Sequence, residues 1–267
     1  AGGRKLIRTA LQDRLYLFAA RSSKLAAIFI LLLPSLILGF GVPGPLAAER
    51  NIYNFAVEKL TIPPPPARGD VTMPHLKDGK PIEKIIWIVD ESVGYDAFAK
   101  LVRPSLTSHA PIDFGRTAAL ANCSAPAHVA LRSGVNVLEV NPRTDLRKTP
   151  SIWGYARKAG YRTILIDGQV SGPPQNLLLP PEASKIDEIH PLASGMQTDQ
   201  TIAEDLNGRM KTAGKTFVYA VLRGVHFQYT DHYPANLNAT AGSLAQQYEA
   251  AIAYSKKDFF KTLLAGV

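Results

Sequence analysis

Residues 85–91 read IIWIVDE, an unbroken run of five apolar side chains that ends in two carboxylates, Asp90 and Glu91. A strand with one solvent-exposed face alternates apolar and polar residues, whereas a continuous apolar run is typical of a strand covered on both faces. Strands of that kind belong to parallel sheets with helices packed on either side. The run therefore predicts the start of an α/β domain, which we place at residues 81–267.

Two further apolar runs follow the same plan. Each comes after a stretch with helical periodicity, and a helical pattern closes the chain. In order, the sequence predicts a helix at Ser151–Ala159, a strand at Tyr161–Ile166, a helix at Thr201–Lys211, a strand at Thr216–Leu222 and a helix at Leu244–Leu264. Strands that alternate with helices predict a mostly parallel sheet with helices on both faces.

The composition is that of a folded chain with a basic N-terminal arm. Of the 267 residues, 46% are hydrophobic and 19% are charged, which is too apolar for a disordered protein and enough for a core. Cys123 is the single cysteine, which excludes a disulfide framework and a cysteine-rich zinc site. Of the formal net charge of +8, residues 1–24 hold +5, from six basic residues and one acidic residue. Because the charge lies mostly in this arm, nucleic acid is not an expected partner.

Residues 25–48 form an uncharged and mostly apolar segment. Its 24 residues suffice to span a bilayer as a helix, and the basic flank at 1–24 predicts a cytoplasmic arm with export of everything that follows. A signal peptide and a buried core helix are the alternatives. Residues 49–80, with four consecutive prolines at 63–66, are predicted to form a connector with a short amphipathic helix at Asn51–Leu60 and a stiff spacer. The expected order is arm, transmembrane helix, connector and α/β domain.

The ends of the predicted strands carry the candidate site. In parallel sheets, ligands bind outside the carboxyl ends of the strands. Asp90 and Glu91 follow the first strand, and paired carboxylates suit a divalent cation. A solvated loop or a helix cap is the alternative for this pair. Asp167 ends the next strand and is interpreted as a turn or cap residue.

The segment SAPAHVALRSG, from Ser124 to Gly134, predicts a helix that begins at or beside Ser124. Backbone N–H groups at a helix N-terminus stabilise anions such as a phosphate or an ionised nucleophile. A metal ion close to Ser124 would favour the ionised hydroxyl further. The alternative is that Ser124 only caps the helix. His128 lies one turn later on the same side, as a candidate for the site or as a packed histidine.

The stretch after the third predicted strand is rich in groups that bind phosphate. It reads RGVHFQYTDHYP from Arg223 to Pro234 and contains an arginine, two histidines and two tyrosines. Such a set can bind a phosphate or a phosphoester, with Arg223 and His226 among the candidates. The alternative is an ordinary aromatic-rich loop.

Taken in this order, the segments resemble the alkaline phosphatase superfamily, and more closely the membrane-bound phosphoethanolamine transferases and sulfatase-like enzymes. Four segments carry the resemblance: IIWIVDESVGYD at 85–96, SAPAHVALRSG at 124–134, SIWGYARKAGYRTILIDGQ at 151–169 and AVLRGVHFQYTDHYP at 220–234. The first is similar to the family's first strand with its metal-binding carboxylate. The second is similar to the sulfatase signature Cys-x-Pro-x-Arg.

The resemblance implies roles for individual residues. Glu91 takes the place of the family's metal ligand, with Asp90 as a weaker candidate. Ser124 takes the place of the nucleophile, which also contacts the metal. His226 matches a site histidine of the transferases, and His128 stands where the sulfatases have an arginine. A divalent metal, with zinc expected, is implied as the cofactor.

The resemblance also implies an activity. A metal-dependent transferase, held in the bacterial inner membrane with its soluble domain in the periplasm, moves phosphoethanolamine from phosphatidylethanolamine to an envelope glycan or lipid such as lipopolysaccharide, through a covalent serine intermediate. A sulfatase- or phosphatase-type hydrolase of the same fold is one alternative, and a catalytically degenerate, membrane-tethered binding module is another. The family completes its metal site with an Asp-His pair further along, and no such segment occurs up to Val267, so the chain is expected to be a fragment or a degenerate member.

Overall fold

The computed structural model describes residues 23–24, 46–61, 63–73, 82–169, 176–237 and 242–266. The chain divides into two compact units, residues 1–64 and residues 65–267. The division falls within the four consecutive prolines at 63–66, which form no helix or strand. This is the position at which the sequence predicts a spacer.

In the first unit, helix α1 spans Leu46–Thr61. It contains the helix predicted at Asn51–Leu60, but it begins five residues earlier, before the predicted connector boundary at residue 49, and ends one residue later. The predicted transmembrane segment, residues 25–48, lies outside the described residues except for its last three. Among the helices that are described, none is both long and apolar enough to cross a membrane. The transmembrane helix therefore stays a prediction.

The second unit is built on a parallel sheet. Strand β1 spans Lys84–Val89, β2 Arg162–Asp167, β3 Glu188–Pro191 and β4 Thr216–Val221, in the spatial order β1-β4-β2-β3. Strand β4 lies between β1 and β2, with Val221 opposite both Val89 and Asp167. The carboxyl ends of these three strands therefore meet at one edge of the sheet. The α/β fold class is confirmed, and β3 is a strand that the sequence did not predict.

Helices connect the strands. Helix α2 spans Tyr95–Leu101, α3 Ser124–Arg132, α4 Ile152–Lys158, α5 Pro180–Ala183, α6 Thr198–Met210 and α7 Leu244–Leu263, and short 3₁₀ turns occupy Arg103–His109, Val137–Glu139, Tyr229–His232 and Ala235–Leu237. The hydroxyl of Ser151 accepts the N–H of Gly154 at the start of α4, and Ser243 forms a capping box with Gln246 at the start of α7. These local signals explain where α4 and α7 begin, whereas α6, predicted at Thr201–Lys211, begins three residues earlier without a side-chain cap.

Both faces of the sheet are packed. Strand β4 is buried along its whole length, and its alternate residues face opposite sides. On one face, Phe217, Tyr219 and Val221 pack with Trp153 of α4. On the other face, Val218, Ala220 and Leu222 pack with Ile202 and Leu206 of α6 and with Phe259 of α7. The predicted coverage of the sheet by helices on both faces is thus confirmed.

Strand β1 is less protected than its sequence predicts. Its apolar run predicts coverage on both faces, but the strand is only partly buried and Trp87 is 40% exposed. The reason is its place in the sheet, because among the strands that the structure describes β1 pairs with β4 alone. Full coverage of β1 is therefore not observed.

Candidate active site

Glu91 lies at the centre of a group of polar side chains where the strand ends meet. Its Oε1 accepts hydrogen bonds from Ser124 Oγ and from His226 Nε2, the latter at 2.9 Å. Its Oε2 accepts a hydrogen bond from the side-chain amide of Gln169. We refer to Glu91, Ser124, Gln169 and His226 as the cavity cluster. The structure thus brings together three residues that the sequence singles out, and it adds Gln169.

Hydrogen bonds keep the Glu91 carboxylate ionised. Partial burial favours its neutral form, but the bonds from Ser124, Gln169 and His226 together outweigh burial, and the pKa of Glu91 lies below its ordinary value. An ionised carboxylate only accepts hydrogen bonds. The contact at Oε1 therefore places a proton on Nε2 of His226 and directs the hydroxyl proton of Ser124 at Glu91.

Ser124 is the first residue of α3. The cap position is taken by Cys123, whose backbone is extended and whose side chain makes no capping bond. The hydroxyl of Ser124 binds Glu91, which contradicts the alternative that Ser124 only caps the helix. The N–H groups of the first helical turn lie beside it, so Oγ occupies a position where negative charge is stabilised.

The loop after β4 reaches Glu91 through a glycine. Gly224 has a φ of +72°, and an added Cβ would lie 2.2 Å from the carbonyl oxygen of Glu91. The next residue, Val225, donates its N–H to the same oxygen at 3.1 Å. A side chain at position 224 would push the loop away and displace His226 with it, so a glycine is required. Sequence reasoning missed Gly224, which lies three residues after the end of β4 and within the segment from Arg223 to Pro234 that the sequence singles out.

The cavity cluster lines an open cavity of about 510 Å³. Arg223 forms part of the same wall, and its guanidinium lies 3.1 Å from Ser194 Oγ and 3.1 Å from the backbone carbonyl oxygen of Asp231. These contacts hold a positive charge at the wall. The cavity therefore combines a hydroxyl, an ionised carboxylate, an imidazole and a guanidinium.

Two side-chain amides of this wall, those of Gln169 and Asn176, were not predicted from the sequence. Gln169 Nε2 binds Glu91 and also the backbone carbonyl of Leu222, at 3.2 Å. Asn176 Nδ2 in turn donates to Gln169 Oε1 at 3.4 Å. The available signal was the turn after β2, where Asp167 accepts the N–H of Gln169 at 3.0 Å and so fits its interpretation as a turn residue. Amides are common in turns, so this pattern does not indicate which ones face a cavity.

Asp90 does not join the cavity cluster. Its carboxylate forms an ion pair with Lys256 of α7 at 2.8 Å, and Lys256 also pairs with Asp199 at 2.6 Å. Successive residues of an extended chain point to opposite sides, so Asp90 faces away when Glu91 faces the cavity. Burial, which outweighs the attraction of Lys256, raises the pKa of Asp90 to about 6. The expectation that Asp90 shares a metal with Glu91 is therefore corrected.

His128 is buried and does not line the cavity. It is 3% exposed, and its Nδ1 lies 2.9 Å from the hydroxyl of Tyr219. Burial, together with the charge of Arg132, lowers the pKa of His128 to about 4, so its ring is neutral at neutral pH. His128 is the packed histidine that the sequence left open as an alternative, and the predicted contact with substrate is not supported by its position.

The described residues supply part of a metal site. Glu91 offers carboxylate oxygens and Ser124 a hydroxyl, which are donor types that divalent cations accept. Within the described part of the chain, no group of three or more histidine, cysteine, aspartate or glutamate side chains is placed to hold a metal ion. The side chains of Glu91 and Ser124 therefore fit one side of a coordination sphere.

No protein family model matches the chain, and no curated protein matches it in sequence. The fold is similar to that in the crystal structure of the C-terminal periplasmic domain of EcEptC from Escherichia coli in complex with Zn, with a TM-score of 0.53 and 18% identity. This likeness covers 67% of the chain and 59% of that domain, so the chain spans about three fifths of the solved domain. A second crystal structure of the domain aligns with a TM-score of 0.48 and 16% identity, over 67% of this chain and 58% of that one. EcEptC is a phosphoethanolamine transferase of the alkaline phosphatase superfamily, and the fold that the sequence resemblance predicts is thereby confirmed.

Proposed function

We propose that this chain carries the nucleophile of an enzyme of the phosphoethanolamine transferase type, and that the nucleophile is Ser124. The observation that carries the proposal is the meeting of Ser124 Oγ, Glu91 and His226 at the N-terminus of α3, in a cavity with a guanidinium in its wall. The fold shared with the periplasmic domain of EcEptC supports the same function.

In the first step, Ser124 Oγ attacks the phosphorus of phosphatidylethanolamine. Glu91 is ionised and already bonded to the hydroxyl, so it accepts the proton as the oxygen–phosphorus bond forms. The bond between phosphorus and the diacylglycerol oxygen breaks, and the leaving oxygen takes up that proton. The product is a phosphoethanolamine ester of Ser124.

In the second step, a hydroxyl of the acceptor attacks the same phosphorus. Its proton passes through Glu91 to Ser124 Oγ, which leaves as the free hydroxyl. Arg223 and the N–H groups at the start of α3 balance the charge on the phosphoryl oxygens in both steps. Nε2 of His226 lies beside the hydroxyl of Ser124 on the same carboxylate oxygen, from which it can donate to the phosphoryl group. Water in place of the acceptor would turn the transferase into a hydrolase.

A divalent cation, with zinc expected, is part of this proposal. Glu91 and Ser124 would hold it, because Nε2 of His226 carries the proton that it donates, and the E. coli domain was crystallised as a complex with Zn, which supports that choice of metal. The cation would favour the ionised form of the Ser124 hydroxyl and offset the negative charge of the phosphoryl group.

The proposed setting is the periplasmic face of the bacterial inner membrane. The periplasmic origin of the EcEptC domain supports this location. The span predicted at residues 25–48 would hold the site close to a phospholipid donor. The acceptor is an envelope glycan or lipid, with lipopolysaccharide as the example to test first.

Transfer of label from the donor lipid tests the nucleophile. The full chain in detergent micelles is incubated with Zn²⁺ and phosphatidylethanolamine that carries radiolabelled ethanolamine, without an acceptor, so that the intermediate accumulates. We expect label on the wild-type protein, mapped to Ser124 by mass spectrometry, and none on Ser124→Ala.

Cys123→Ala is the matched control. Cys123 is the exposed neighbour of Ser124, and its Sγ contacts Asn122 rather than the cavity cluster, so this variant should be labelled like the wild type. Label on Ser124→Ala at the wild-type level would contradict the assignment of the nucleophile.

A further inference from the structure

A buried lysine lies behind the cavity wall. Lys256 of α7 is fully buried, and its Nζ lies 2.8 Å from Asp90 and 2.6 Å from Asp199. Lysine is almost never buried unless it is paired. Burial opposes its charge, but the two carboxylates outweigh burial and raise the pKa of Lys256 above its ordinary value. We refer to Asp90, Lys256 and Asp199 as the lysine cluster.

Asp199 connects the lysine cluster to the loop that carries Arg223. This aspartate lies in the first turn of α6. Its Oδ2 accepts a hydrogen bond from Lys256, and its Oδ1 accepts the backbone N–H of Arg223 at 2.7 Å. The same carboxylate therefore holds both the lysine and the backbone of the cavity wall.

Asp90 connects the lysine cluster to Glu91. It is the single residue between the end of β1 and Glu91, so the ion pair with Lys256 fixes the direction in which the Glu91 side chain leaves the strand. Backbone bonds tie the same two segments to each other. Leu222 donates its N–H to Val89 at 2.9 Å, and Val225 donates to Glu91 at 3.1 Å.

We propose that Lys256 is a positioning residue that, through Asp90 and Asp199, holds the backbone of Glu91 against the loop at residues 222–226. In this arrangement Glu91 faces Ser124 and His226, and Arg223 faces the cavity. The kinetic consequence rests on the proposed function, whereas the structural consequence does not. The competing explanation is that the lysine cluster contributes to the stability of the core and to nothing else.

Hydrogen–deuterium exchange of the full chain in micelles, followed by mass spectrometry, separates these explanations. Lys256→Met leaves the buried Asp199 and the partly buried Asp90 without a cation. The triple variant Asp90→Asn, Lys256→Met, Asp199→Asn removes every charge of the cluster at similar volume, a kind of replacement that proteins often tolerate. Lys257→Met is the matched control, because Lys257 is the next residue of the same helix and is exposed.

The expected result is local. In the triple variant, amides of residues 222–226 should exchange about tenfold faster or more, because the bond from Arg223 loses a charged and oriented acceptor. Amides of β2 should keep their wild-type protection, and Lys257→Met should match the wild type throughout. Wild-type exchange at 222–226 in the triple variant would overturn the proposal. An equal increase in the amide exchange rates of β2 and of residues 222–226 would also overturn the proposal, since that pattern indicates a loss of global stability.

The rate of transfer gives the second measurement. In the triple variant we expect kcat to fall about tenfold or more while KM changes by less than about threefold, because the residues that touch substrate are all present but misaligned. An unchanged kcat would overturn the positioning role. If the wild-type protein transfers no label with Zn²⁺, the proposed function fails, and the exchange experiment still decides the role of Lys256.

Discussion

Asp90 and Glu91 are consecutive carboxylates at the end of one strand, yet they belong to two different clusters. In the cavity cluster, Glu91 accepts hydrogen bonds from three side chains, and its pKa lies below the ordinary value. In the lysine cluster, the partly buried Asp90 packs against the fully buried Lys256, and the pKa of Asp90 is raised to about 6. A charged neighbour is present in the second case and burial still outweighs it. The balance between the number of hydrogen-bond donors and the degree of burial therefore determines the pKa of each carboxylate.

Removal of the buried cation should give the largest effect. Lys256→Met leaves Asp90 and Asp199 without their partner, so we expect the free energy of unfolding to fall by about 3–5 kcal/mol. Urea unfolding followed by circular dichroism measures it. Lys257→Met should stay within about 0.5 kcal/mol of the wild type, because the side chain is exposed. A loss below about 1 kcal/mol for Lys256→Met would show that the lysine cluster is solvated in solution.

Removal of the charge of Glu91 should come next. Glu91→Gln still accepts a hydrogen bond from Ser124 but cannot take its proton, so the labelling rate should fall by about 10²–10³. A time course of protein labelling with the radioactive donor, with samples quenched at fixed intervals, measures the rate. Asp90→Asn should lower it by about tenfold, since Asp90 acts through the backbone. Equal losses in the two variants would mean that the two carboxylates do not differ in role.

The contact between the two strand ends should be sensitive to a single methyl group. Gly224→Ala places a Cβ 2.2 Å from the carbonyl oxygen of Glu91, at a φ of +72°. Gly160→Ala is the matched control, with a φ of +82° and no atom within 4 Å of the added Cβ. Both changes carry the cost of a left-handed backbone, about 1 kcal/mol, and Gly224→Ala should cost about 1–3 kcal/mol more.

Thermal and urea unfolding provide these values. Only Gly224→Ala should also slow labelling, because only this loop carries His226. Equal stability of the two variants would mean that the loop moves freely away from Glu91.

The dependence of stability on pH should have opposite signs for the two carboxylates. The pKa of Glu91 is lower in the folded state than its ordinary value of 4.5, so Glu91 stabilises the fold above that pH and loses this contribution as the pH falls. The pKa of Asp90 rises from 3.8 to about 6 on folding, so its ionisation destabilises the fold as the pH rises between those values.

Urea unfolding from pH 3 to pH 7 tests these signs. Relative to the wild type, Asp90→Asn should gain stability as the pH rises toward 6, by about 2–3 kcal/mol. Glu91→Gln should gain relative stability as the pH falls below the ordinary pKa of a glutamate. Trends of the same sign in both variants would contradict the two environments.

Much of the fold could be predicted because its elements carry strong local signals. The six residues of strand β4 and Leu222 directly after it are all apolar or β-branched, and α4 and α7 begin at serine caps. Strand β3 has no such signal, because its four residues read EIHP and contain one large apolar side chain. Only pairing with β2 makes that segment a strand.

The site was predictable to the extent that strand ends converge. Glu91, Ser124 and His226 each follow a strand or begin a helix, and a parallel sheet brings such positions to one edge. The choice between Asp90 and Glu91 depends on the pleat of the strand, and a shift of one residue reverses it.

Lys256 could not be predicted at all. Within the sequence it lies beside another lysine and an aspartate, which is the pattern of a solvated helix face. Its partner Asp199 is 57 residues away, so only the tertiary fold gives the lysine its burial and its ion pairs.

Cys123 is a natural attachment point for a spectroscopic label. It is exposed, it is the single cysteine of the 267 residues, and it immediately precedes Ser124. A maleimide dye or a nitroxide spin label would therefore attach at one defined point, without prior removal of other thiols. The emission of the dye, or the line shape of the spin label, would report the binding of donor and acceptor molecules beside Ser124. Cys123→Ala would serve as the unlabelled control.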